Sequence, residues 1–85
     1  MNDMTVLGEI LYEHRIALGL TQQELADYAD IQRTYISDIE RGRRNVTVFV
    51  LTRIAVALGI TLGQLFRMAE ERVLEQALKK RRRRK

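Results

Sequence analysis

Residues 31–45 read IQRTYISDIERGRRN, and the fold turns on this stretch. Its aliphatic side chains Ile36 and Ile39 stand three apart, one helical step, so a helix points both to the same side. On the other side fall Arg33, Thr34, Ser37 and Asp38, which a core accepts only when their polar groups are paired. Two arginines and an asparagine then follow Gly42. The pattern predicts a short helix over residues 32–41, anchored by a narrow apolar edge and holding a polar face outward.

Working outward, LTQQELADYAD (residues 20–30) predicts a helix over residues 22–29. Only Ala29, Asp30 and Ile31 separate it from the next helix, which is too short for an open loop and suits two helices crossing steeply. Ala26 is small enough to let the backbones approach there. Leu25, Ala29, Ile31, Ile36 and Ile39 fall where the pair would share a core.

Farther out, ALGLTQQEL (17–25) and ALGITLGQL (57–65) carry the same punctuation. Gly19 and Gly59 can take the left-handed conformation that ends a helix. Thr21 and Thr61 can cap the next one, with Glu24 and Gln64 closing a capping box. Leu20 with Leu25, and Ile60 with Leu65, sit at hydrophobic-staple positions. The flanking segments do not match, so the likeness is shared stop-and-start chemistry rather than an internal repeat.

Helical stripes complete the pattern. Residues 5–18 carry Leu7, Ile10, Leu11 and Leu18. Residues 47–58, with Thr47 as cap, carry Leu51, Ile54, Ala55 and Leu58. A fifth helix starts after Thr61 and continues through RMAEERVLEQAL, with Phe66, Ala69, Val73 and Ala77 on one face and Leu74 and Leu78 beside it. This stripe either folds back on the chain's own core or packs against a second subunit. No stretch alternates as a strand would, so the expected class is all-α with five helices. Residues 1–66 form the folded domain, residues 67–78 extend helix 5 as a possible dimer contact, and residues 79–85 form a basic tail expected to be disordered by self-repulsion.

The totals narrow the function. Eighty-five residues make a single small domain whose core is marginal, a condition often relieved by a partner subunit. With no cysteine and His14 as the lone histidine, no disulfide, metal cluster or cofactor is expected. The only assembly resembling a catalytic triad is His14–Ser37–Asp38, in which two members are sequence neighbours, so the chain is read as no enzyme. The start MNDMTVLGEI lacks a secretory pattern and no apolar run approaches about 20 residues, so a soluble, cytoplasmic protein with no membrane partner is expected. The net charge of +4 is an average of two parts. The last seven residues, KKRRRRK, are all basic; without them eight Lys and Arg face eleven Asp and Glu, leaving −3. A nucleic-acid argument must therefore rest on where arginines sit, not on the total.

The run LTQQELADYADIQRTYISDIERGRRN, with the close LGITLGQLF, resembles the Cro and phage-repressor helix–turn–helix family over residues 7–66. RTYISDIERGRRNVT is similar to the small controller proteins of restriction–modification systems, a subset of that family. Two positions depart from the pattern. Asp30 stands where a turn glycine is usual, and aspartate tolerates the left-handed region. Val46 stands where proline is common.

The resemblance implies a DNA-binding transcriptional regulator whose third helix enters the major groove. There Arg33 can bond both acceptors of a guanine, Thr34 can meet a thymine methyl, and Ser37 and Asp38 complete the base-facing set. Asp38 must accept from a cytosine amine or be neutralised within the protein, with Arg33 or Arg41 the expected partners. DNA backbone contacts are expected from Gln22, Gln23, Tyr35, Arg43, Arg44 and Asn45. Arg15 and Glu40 are implied to form a structural ion pair.

One short reading helix touches few base pairs, so a homodimer on a near-palindromic operator is expected, with no small-molecule effector. The basic tail is expected to attract phosphates irrespective of sequence. The same fold also serves antitoxins and bridging coactivators that bind proteins, and in that alternative helix 5 and the tail would be the working surface.

Overall fold

A computed structural model describes residues 3–82 as five helices: α1 (Asp3–Ala17), α2 (Gln22–Ala29), α3 (Arg33–Glu40), α4 (Val48–Ala57) and α5 (Leu62–Arg82). No strand occurs among the described residues.

The expected punctuation is present in atomic detail. Thr21 Oγ1 accepts from the Glu24 amide at 3.0 Å while Glu24 Oε1 accepts from the Thr21 amide at 2.9 Å. Thr61 and Gln64 repeat the arrangement at 3.0 and 2.8 Å. Thr47 caps α4 through the Val50 amide. Each reciprocal pair satisfies two amides that a helix start otherwise leaves open.

The helix ends share one closure. At Gly19 (φ 71°) the Leu20 amide reaches back to the Arg15 carbonyl and the Gly19 amide to Ile16. Asp30 closes α2 in the same way, at φ 57°, with the Ile31 amide on the Ala26 carbonyl. Aspartate here accepts a left-handed conformation for which glycine is the default. The tight turn between α2 and α3 therefore survives without its usual glycine.

The core gathers one face from every helix: Val6, Leu7, Ile10 and Leu11 from α1, Leu25, Ala26 and Ala29 from α2, Ile36 and Ile39 from α3, Leu51, Ile54, Ala55 and Leu58 from α4, and Leu65 from α5. Leu18 departs from expectation and is 54% exposed. Arg15 takes the inward place in the last turn of α1 instead, and Val6 supplies the aliphatic contact at the other end. Gly8 is the close-approach position between α1 and α3. A Cβ there would collide with the Ile39 carbonyl oxygen and sit 2.8 Å from that of Glu40.

Only Leu65 of α5 is fully buried. Beyond it, Met68, Ala69 and Val73 rest against the core from one side, while Phe66, Leu74 and Leu78 are 41%, 60% and 42% exposed. The helix is fastened to α1 by Arg72, whose guanidinium bonds both carboxylate oxygens of Glu13 at 2.8 and 3.0 Å and lies 3.7 Å from Glu9. The expectation of a disordered tail needs correction at its first four residues, since Lys79, Lys80, Arg81 and Arg82 continue α5. Lysine and arginine are good helix formers, cations favour the C-terminal end of a helix, and extending a formed helix costs no new nucleus. The rest of the tail lies outside the described residues.

Candidate nucleic-acid interface

The outward face of α3 is built by subtraction. Burial of Ile36 and Ile39 fixes its rotation, so Arg33 and Thr34 in the first turn stand exposed. Ser37 and Asp38, one turn on, are half-buried at the flank. These four are the residues expected to face bases, and the helix brings them to one surface. A helix of this size fits a major groove about 12 Å wide.

Behind that face lies a polar lock. Arg15 Nε is 2.7 Å from Glu40 Oε2 and its terminal nitrogen 3.0 Å from Oε1. A third bond runs from Arg15 to the Leu20 carbonyl at 2.8 Å. Both side chains are almost wholly buried, at 8% and 6% exposure. The carboxylate hydrogen bond holds the guanidinium above its ordinary pKa, against the opposing effect of burial. The Arg15 guanidinium also lies over the Tyr12 ring, 5.3 Å from its centroid.

The lock reaches the exposed face of α3 through Gln22. Its amide nitrogen donates to Glu40 Oε1 at 3.1 Å, and its amide oxygen accepts from Arg33 at 3.4 Å. One polar chain thus runs Arg15–Glu40–Gln22–Arg33 across α1, α3 and α2. Gln22 was expected to hold DNA phosphate; here its amide is bonded at both ends within the protein. Gln23, expected in the same role, donates to Asp27 at 2.8 Å.

Asp38 is partnered by Arg44 at 3.4 Å, not by Arg33 or Arg41 as expected. The same guanidinium lies over the Tyr35 ring, 4.6 Å from its centroid. Arg44 therefore folds back from the loop onto the outer flank of α3 and offsets the carboxylate that would otherwise repel a phosphate. Arg43 and Asn45 remain exposed in the loop beside it. The loop leaves α3 through Gly42 (φ 69°), where a Cβ would meet Thr5 Cα at 2.8 Å, so α1 presses directly on the turn.

The short turn between α2 and α3, and the exposed first turn of α3, match a known pattern: residues 11–65 fit the model of a helix-turn-helix family. The chain belongs to that helix–turn–helix family. Among its curated relatives, the control protein C.BamHI of Bacillus amyloliquefaciens is 51% identical over 60 residues, covering 69% of this chain and 74% of the relative. The control protein C.MunI of a Mycoplasma species is 49% identical over 47 residues, covering 55% of this chain and 64% of the relative. In three dimensions the chain is similar to the clp gene regulator ClgR of Corynebacterium glutamicum, with a TM-score of 0.86 at 29% identity over 96% of this chain and 87% of that one. It is also similar to a variant of C.Esp1396I bound to its highest affinity operator site, with a TM-score of 0.80 at 30% identity over 87% and 97% of the two chains.

Within this helix–turn–helix frame several partners escaped the sequence reading. The bonds of Arg15 to Leu20, of Gln22 to Glu40 and Arg33, and of Arg44 to Tyr35 and Asp38 join residues whose spacing carries no periodic signal. Gly8 did leave one, as a lone glycine inside a helical stripe, the usual mark of close packing. The residues of the rejected triad sit in separate settings. His14 Nε2 lies 3.3 Å from Met68 Sδ between α1 and α5, while Asp38 pairs with Arg44 on α3.

Proposed function

We propose that the protein is a cytoplasmic, homodimeric transcriptional regulator that reads a near-palindromic operator in double-stranded DNA, with α3 of each subunit in the major groove. The observation that carries this reading is the exposure of Arg33 and Thr34 on the first turn of a helix whose opposite face, Ile36 and Ile39, is wholly buried. In this arrangement Arg33 addresses a guanine edge, Thr34 a thymine methyl, and Ser37 a neighbouring base. Asp38 accepts from a cytosine amine once Arg44 has offset its charge. Tyr35, Arg43, Arg44 and Asn45 approach phosphates at the groove edge, and Gln22 and Gln23 meet the backbone if they exchange their internal partners for it. The relatives named control proteins, and the neighbour bound to its operator, support the same reading.

Selection of bound sequences from a random DNA pool identifies the operator, and competition between that duplex and a scrambled one then measures preference. Arg33→Ala should weaken operator binding by about 1–3 kcal/mol and relax the choice at a single base position. Equal competition by scrambled DNA overturns the proposal. If Arg33→Ala and Thr34→Ala leave DNA binding intact while removal of residues 67–85 abolishes activity, a protein-bridging role takes its place.

A further inference from the structure

The first turn of α4 turns apolar side chains outward. Phe49 is 84% exposed and Val48 58%, and Phe49 is the most exposed large apolar side chain among the described residues. Leu51, Ile54, Ala55 and Leu58 are buried, so an advance of about 100° per residue points Phe49 away from the core. Arg53, also exposed, follows one turn on along the same face. Scattered apolar groups are ordinary on a protein surface; the charge around this one is not.

Between Glu40 and Glu70 the sequence holds Arg41, Arg43, Arg44, Arg53 and Arg67 and no aspartate or glutamate, whereas residues 1–40 set Arg15 and Arg33 against eight acidic residues. Arg41, Arg43 and Arg53 are exposed, and no ion pair engages them among the described residues. Two copies of the chain meeting on this face would bring arginines against arginines. A polyanion suits it, and an aromatic ring among unpaired arginines binds nucleic acid by stacking as well as by charge.

Position narrows the contact further. Phe49 follows Asn45 by four residues, so the two lie within about 14 Å of each other. If Asn45 stands at the edge of the major groove, the minor groove, about 6 Å wide, begins across a single phosphate backbone. A phenyl ring has no hydrogen bond to offer there; apolar side chains in a minor groove insert between base pairs and unstack them.

We infer that Phe49 is a wedge: with α3 in the major groove, its ring enters the adjoining minor groove and parts one base step, while Arg53 and the loop of residues 43–45 hold the phosphates on either side. This rests on the proposed reading of DNA by α3 and adds a second determinant of sequence to it. Pyrimidine–purine steps such as TA and CA deform at least cost. Phe49 therefore selects such a step without a hydrogen bond to any base, a selectivity that Arg33 and Thr34 do not supply.

The test uses the full chain and the operator recovered from the random pool, with circular dichroism confirming that each variant folds. Phe49→Ala should weaken operator binding by about ten-fold and leave the salt dependence of log K unchanged, since no charge is removed. Phe49→Leu, still an apolar wedge, should retain most of the affinity. Arg53→Ala should instead lower the salt slope by about one. Pool selection repeated with Phe49→Ala should keep the guanine assigned to Arg33 and lose the preference for a pyrimidine–purine step elsewhere in the half-site. A fluorescent adenine analogue at that step should brighten when the wild type unstacks it and stay quenched with Phe49→Ala.

Unchanged affinity and an unchanged selected pool for Phe49→Ala would overturn the inference. So would a Phe49→Ala dimer that weakens in sedimentation equilibrium yet binds the operator as the wild-type dimer does, since α4 would then face a second copy and not DNA. Failure of the operator reading is seen separately, as a wild type that does not distinguish operator from scrambled DNA. Phe49→Ala is then compared on the scrambled duplex, where a ten-fold loss supports the wedge and equal affinity overturns it.

Discussion

Glu40 is where the placement of α3 depends most on a single side chain. Its carboxylate accepts from Arg15 through both oxygens and from Gln22 through one, so one residue joins α1, the start of α2 and the end of α3. Removing it leaves the Arg15 guanidinium buried without its counter-ion. Breaking such a pair from one side costs far more than the pair contributes against an apolar substitute. Glu40→Ala should therefore lower stability by about 3 kcal/mol, measured by chemical denaturation. Operator affinity should fall more than stability alone accounts for, because Gln22 and with it Arg33 lose their anchor. If the variant instead loses less than about 0.5 kcal/mol, a size typical of ordinary surface substitutions, the lock is not structural. Gly8 acts at the same scale by having no side chain: any Cβ would force α1 off the α3 backbone.

Among the elements, α5 joins the core through Leu65, with Met68, Ala69 and Val73 packed against it, and adds an electrostatic strap. Arg72 bonds Glu13 and lies near Glu9. The hydrogen bond from Arg72 is the main reason the Glu13 carboxyl is held below its ordinary value of 4.5, with desolvation working the other way. A carboxyl whose folded pKa is depressed stabilises the fold above its unfolded value and loses that contribution as pH falls through the folded one. The Glu13 side chain is 56% exposed, so the contribution stays within about 1 kcal/mol. Denaturation of wild type and Arg72→Met should differ by that amount at pH 7 and converge as pH is lowered below the ordinary carboxylate range. A difference that stays constant with pH would mean that Arg72 acts by packing alone.

For the whole molecule, the long axis of 48 Å against 24 and 22 Å belongs to a small domain with one helix projecting beyond it. Two such domains, joined as proposed, present two α3 helices to one face of DNA. Half-sites should therefore lie about one helical turn apart, roughly 34 Å or 10 base pairs. Inserting about five base pairs between them turns the second site to the far side of the duplex. Affinity in a gel-shift titration should then drop to that of a single half-site, whereas unchanged affinity would mean that the subunits bind independently.

The helices, their caps and the inward faces of α2, α3 and α4 were legible in the sequence because they arise from local interactions. Apolar side chains recur at the helical period, a threonine sits three residues before Glu24 or Gln64, and a glycine or Asp30 takes the left-handed turn. The candidate base-facing set was legible for the same reason, since Ile36 and Ile39 fix the rotation of α3 and leave Arg33 and Thr34 outside. The Arg15–Glu40 pair was named only through family resemblance. Tertiary structure alone decided that Arg44 rather than Arg33 or Arg41 meets Asp38, that Gln22 bridges Glu40 to Arg33, that Leu18 stays outside, and that Arg72 fastens α5 to α1. Those outcomes depend on which long, flexible side chains come within about 3 Å of each other once remote helices have packed, a distance that no periodicity along the chain encodes.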